Sequence, residues 1–155
     1  MLCPVCKKEM LVLEFELLEV DHCAECGGVW LDSGELKLIG ERAGALHGGL
    51  LAALESEQGA ADKTQPKRRC PVCRKRLLRV PAASPADQAL ERPARPQAAG
   101  AANIHVEKCP RGDGLWFEGD SLQTVIQAAG ADSGNVFARF LADLHARRRS
   151  AKAKG

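Results

Sequence analysis

Three Cys-x-x-Cys pairs set the terms on which this chain can fold: Cys3 with Cys6, Cys23 with Cys26, and Cys70 with Cys73, plus Cys109 as a seventh thiol in 155 residues. Two residues between sulfurs let a backbone curl around one ion and aim its amides at the thiolates. The apolar content makes such a staple necessary. Aromatics are only 4%, Tyr is absent and much of the apolar fraction is Ala, so a large core of bulky side chains is excluded.

The hooks recur in a longer pattern. "CPVCKKEMLVL" at 3–13 aligns with "CPVCRKRLLRV" at 70–80, and "LEVDHCAECGGVWLDSGEL" at 18–36 aligns with "IHVEKCPRGDGLWFEGDSL" at 104–122. This reads as a tandem duplication. The expected organisation is a first module with its following helix over 1–57, a linker over 58–69, a divergent second module over 70–130, and a C-terminal helix with a basic tail over 131–155. The second module carries an insertion at 81–102, rich in Ala and Pro, which reads as an extended loop.

Within the first module, Leu11, Leu13 and Phe15, then Leu18 and Val20, alternate with acidic residues, the mark of a two-stranded hairpin with one buried face. Asp32 and Glu35 form a capping-box signature ahead of Leu36, Ile39 and Ala43 at helical spacing, and Gly40, Gly44, Gly48 and Gly49 weaken that helix. In the second module a short helix starts near Ser121, and another follows Ser133 with Val136, Phe140, Leu141 and Leu144 on one face. The fold class is therefore small α+β: two tandem modules, each a two-stranded hairpin with CxxC knuckles followed by a helix.

Two hooks point Cys3, Cys6, Cys23 and Cys26 at one ion. Tetrahedral thiolate coordination suits Zn2+, with iron as the competitor of the same geometry. Gly27 and Gly28 permit the tight curl after the second hook. In the second module Cys70, Cys73 and Cys109 align with ligands, while Gly112 stands where Cys26 does. Asp113 is the favoured fourth ligand and His105 the alternative, beside an open position or a metal-free site, so the chain holds one Zn2+ or two. Trp30 and Trp116 read as apolar mass packed beside the knuckles, and His22 as a strand-end side chain rather than a ligand.

The stretch from Cys3 through "CAECGGVWLDSGEL" resembles the bacterial transcription factor IIB-type zinc-ribbon family, also called the transcription factor zinc-finger domain. Residues 70 to about 123 look like a divergent second copy. The resemblance implies a zinc ribbon with Cys3, Cys6, Cys23 and Cys26 as ligands, and implies little about biological role.

Charge divides the chain. Residues 1–66 carry five Lys and Arg against twelve Asp and Glu, a balance of −7, and residues 67–155 carry seventeen against eight, a balance of +9. The cluster Lys67, Arg68, Arg69, Arg74, Lys75, Arg76 and Arg79 makes nucleic-acid contact one expectation. The favoured one is a non-catalytic regulatory or adaptor module acting through a protein partner or self-association. Neither an enzyme nor a small-molecule substrate is expected, because zinc would occupy the thiols that redox chemistry needs. The opening "MLCPVC" has no leader character and no apolar run reaches a membrane span, so the expected location is cytoplasmic.

Overall fold

Alternating side chains over 11–15 and 18–22 form the expected hairpin in the computed structural model, which describes residues 1–16, 18–36, 38, 67–81, 105–119, 121–128, 139–140, 142–144 and 146. β1 (Leu11–Phe15) pairs with β2 (Leu18–His22) in antiparallel register, Leu13 opposite Val20. The turn between them passes through Glu16 at a positive φ of 54°.

The Trp stretches add strands that the hairpin reading lacks. β3 (Val29–Asp32) extends the first hairpin, and β4 (Leu78–Pro81), β5 (His105–Lys108) and β6 (Gly114–Phe117) build the same arrangement from the second set of motifs. Each half is thus a three-stranded unit rather than a two-stranded one. The halves join into one six-stranded antiparallel sheet, ordered β1-β2-β3-β6-β5-β4.

The seam is the β3–β6 pair, which sets Trp30 opposite Trp116 and Leu31 opposite Leu115. Strand alternation then sends the two Trp rings to one face and Val29, Leu31, Leu115 and Phe117 to the other. The second face is covered: Val20, Val80, Val106, Leu36, Leu122 and Val125 pack there, the last two from the helix Ser121–Ala128. Phe140 and Leu144 join this layer, and the Phe140 ring stacks on Phe15 of β1 with centroids 4.8 Å apart. Both central strands bury both faces, which is why their residues read as continuous apolar runs rather than as alternation.

Reciprocal glycines make the seam close. A Cβ on Gly28 would lie 2.2 Å from Cζ2 of Trp116, and one on Gly114 would lie 2.9 Å from Cζ2 of Trp30 and 2.3 Å from the Leu31 carbonyl oxygen. Each indole therefore lies over a glycine of the opposite half. No residue larger than Gly leaves room for the ring.

Residues 33–36 and 38 are helical, and the expected capping box closes there. Asp32 Oδ1 accepts from the amides of Gly34 and Glu35 at 2.8 and 2.9 Å, and Glu35 Oε2 accepts from the Asp32 amide at 2.8 Å. The rest of the helix predicted beyond Leu38, most of the linker 58–69, the insertion 81–102 apart from the strand-end Pro81, and the basic tail lie outside the described residues. Among the described residues, no helix is long and apolar enough to cross a membrane.

Candidate metal centres

The first centre begins at a knuckle. Cys3 donates its amide to the Lys8 carbonyl at 2.8 Å, and Lys7 donates back to the Cys3 carbonyl at 3.1 Å with a positive φ of 60°. That curl turns the Val5 and Cys6 amides onto Cys3 Sγ, each at 3.3 Å. The second hook leaves β2, closes with Gly27 donating to the Cys23 carbonyl at 2.8 Å, and runs into β3. Gly27 has φ 75°, the conformation expected of it, whereas Gly28 serves the approach of Trp116.

Cys3, Cys6, Cys23 and Cys26 offer ligand atoms that all lie within 4.8 Å of one another. Cys3 Sγ and Cys26 Sγ are 3.7 Å apart, close to the roughly 3.8 Å edge of a tetrahedron with metal–sulfur bonds of about 2.3 Å. Burial pushes the Cys3 and Cys26 thiols up to about 11, whereas at Cys23 the amide and thiol hydrogen bonds outweigh burial and the thiol titrates below its ordinary value. Such thiols ionise together only when a cation supplies the countercharge. All seven cysteines are free of disulfides.

The second centre repeats the knuckle closely. Cys70 donates to Lys75 at 2.8 Å, Arg74 donates to Cys70 at 3.1 Å with φ 62°, and the Val72 and Cys73 amides point at Cys70 Sγ at 3.4 and 3.5 Å. Its other hook differs by one residue. Gly112, rather than the residue after it, donates to the Cys109 carbonyl at 3.0 Å and takes the positive φ of 77°. The left-handed residue thus precedes the fourth metal-ligating position instead of following it as Gly27 follows Cys26, and the next side chain, Asp113, is turned inward.

Asp113 Oδ2 lies 3.0 Å from Cys109 Sγ and 3.3 Å from Cys70 Sγ, and Cys73 Sγ lies 3.4 Å from Cys109 Sγ. Cys70, Cys73, Cys109 and Asp113 form a second group with all ligand atoms within 4.8 Å. Three thiolates and a carboxylate are a competent Zn2+ donor set. Hydrogen bonds from Cys73 and Cys109 hold the Asp113 carboxyl below its usual range, and burial with the Asp113 contact drives Cys109 well above the ordinary thiol value.

His105, the alternative fourth ligand, is exposed on β5 opposite Pro81 and outside this group. His22 is buried on β2 and outside the first group. Trp30 and Trp116 are fully buried and pack with Cys3, Cys23, Cys70 and Cys109 in one cluster, the core role expected of them.

The basic cluster is partly consumed. Arg68 is 14% exposed, donates to Glu107 at 3.1 Å and also pairs with Glu118, so it stabilises the sheet instead of facing a polyanion. Burial raises the Glu107 carboxyl, opposed by the Arg68 charge. Arg69 donates to the Arg74 carbonyl at 3.1 Å, while Arg76 and Arg79 are half-buried. Lys67, Arg69, Arg74 and Lys75 are exposed. Sequence reasoning missed the Arg68–Glu107–Glu118 cluster, whose members lie 39 and 50 positions apart, and no local pattern announces it.

No curated protein and no solved structure matches the chain. Residues 2–42, which contain all four donors of the first centre together with β1–β3, match the model of the family described as Transcription factor zinc-finger, a zinc ribbon of the transcription factor IIB type.

Proposed function

We propose that this chain is a non-catalytic zinc-stabilised adaptor that docks an extended segment of a partner protein on its N-terminal edge. The carrying observation is where apolar surface remains uncovered. Of the six exposed large apolar side chains among the described residues, Met1, Leu2, Val5, Leu11 and Val12 fall within the first twelve positions, and Val72 is the sixth. Leu11 and Val12 lie on β1, and Met1 is tied to its start through the Met10 amide; β1 is an outer strand whose far edge carries no described partner strand.

An outer strand offers unpaired amides and carbonyls, and side chains on both of its faces confer selectivity on an added strand. Glu9, Glu14, Glu16 and Glu19 outnumber Lys7 and Lys8 along the same stretch of chain, a balance that favours a partner segment mixing apolar with basic residues. A cleft of about 400 Å³ lined by Val5, Cys26, Trp116 and Glu118 lies beside the same knuckle. Zinc contributes by fixing the knuckle that carries Val5 and by holding β2 and β3 in place.

The test compares partner capture by three zinc-loaded full-length chains: the parent, Leu11→Lys/Val12→Lys, and Arg74→Glu/Lys75→Glu. Loss of a specific protein with the first variant and its retention with the second is the expected result. Capture that ignores the edge change refutes the reading. The exposed Lys67, Arg69, Arg74 and Lys75 favour nucleic acid as the second reading, which predicts duplex or RNA binding that weakens steeply with salt and is lost in the Arg74→Glu/Lys75→Glu chain.

A further inference from the structure

The two centres differ in what holds the fourth donor. In the first, Cys26 is a half-buried thiol that receives the backbone amide of Gly28 as well as contacts from neighbouring cysteines. In the second, the hydrogen bonds to the Asp113 carboxylate come from the thiols of Cys73, Cys109 and Cys70. Those thiols lose their protons when zinc binds. Among the described residues no other hydrogen-bond donor reaches that carboxylate, so in the loaded centre Asp113, half-buried as Cys26 is, would be held by the ion alone.

Its release requires little else to move. The Asp113 carbonyl accepts from the Ser33 amide at 3.1 Å, which fixes the backbone across the sheet seam, so rotation of the side chain alone frees the carboxylate. Nothing approaches within 4 Å of the site where Gly112 would carry a Cβ, so the adjoining surface is open. The positive charge of Arg111 attracts the freed carboxylate. A hard carboxylate is also a weaker partner for zinc than the thiolate it replaces when thiolates compete for the position.

We propose that the second centre is an exchangeable zinc site, at which an incoming thiolate displaces Asp113 and can carry the ion away, while the first centre retains its zinc. In that step the Zn–O bond to Asp113 breaks and a Zn–S bond to the acceptor forms. The carboxylate departs as an anion, and a proton from an acceptor arriving as a thiol passes to solvent. No change of oxidation state is involved. The inference depends on the geometry of the second donor set and not on the proposed docking edge, so either can fail alone.

The full chain loaded with two equivalents of Zn2+ is mixed with excess 2-mercaptoethanol and a chromophoric chelator, with native mass spectrometry following metal content. Release in two phases is expected, the faster one equivalent and separated from the slower by about ten- to a hundredfold, the range that loss of supporting contacts costs a metal ligand. Asp113→Cys should slow the fast phase toward the other, and Asp113→Asn should accelerate it. In the Co2+-loaded parent, added thiol should shift one ion's visible bands toward the four-thiolate pattern, with no shift in Asp113→Cys. Single-phase release from the parent overturns the proposal, as does a fast phase or cobalt spectrum indifferent to Asp113→Cys.

Discussion

Gly28→Ala tests the seam on which both centres rest. Gly28 is not among the residues with positive φ, so alanine is compatible with its backbone, and in an independent N-terminal half the change would be neutral or stabilising by about 0.4–1 kcal/mol. The sheet reverses that sign. The new Cβ would fall 2.2 Å from Cζ2 and 2.4 Å from Cη2 of Trp116, against ordinary contact from 3.4 Å, so the ring must retreat by about 1.2 Å. Trp116 is fully buried and its strand is fixed by four register pairs with β3, so the ring can retreat only by turning toward the cleft beside the first knuckle and giving up its packing against the cysteines. The expected cost is about 3 kcal/mol, the upper end for overpacking a filled core. Urea unfolding of the zinc-saturated chain measures it. In a Trp30→Phe background the remaining indole, Trp116, reports on a substitution in the other half. Trp116→Ala removes the colliding ring, so the Gly28→Ala penalty should largely vanish in that background, a coupling of about 0.5–3 kcal/mol. An undiminished Gly28→Ala chain with unchanged Trp116 emission, or strict additivity in the cycle, refutes the reciprocal packing.

Arg68→Ala removes the ion-pair partner of Glu107, 13% exposed at its side chain, leaves it the more distant charge of Arg79 opposite on β4, and should destabilise the chain by up to about 3 kcal/mol, with partial recovery on adding Glu107→Gln; equal unfolding midpoints would contradict a structural role for Arg68. Glu35 is pushed up to about 7, first by burial and then by Asp32, Asp21 and Glu19. An acid whose folded value lies above its unfolded one costs stability as pH rises, here between about 4.5 and about 7. Glu35→Gln keeps an acceptor for the Asp32 amide and removes the charge, so it should stabilise at pH 8 and lose that advantage near pH 4.5; midpoint differences from the parent across this range provide the check.

The chemistry written within a few positions is legible in the sequence. Cys-Pro-Val-Cys closes the same knuckle at Cys3 and Cys70, because the curl and its amide-to-sulfur bonds involve only neighbouring residues. The hairpin of β1 and β2 and the Asp32–Glu35 capping box also follow from local pattern. Tertiary structure alone decided the β3–β6 seam, the rings of Trp30 and Trp116 lying over each other's half, and the withdrawal of Arg68 into an ion pair. The physical reason is range: knuckles and caps are satisfied by atoms a few bonds away, whereas a strand edge, an indole face and a buried charge are satisfied by whatever the fold delivers from far along the chain.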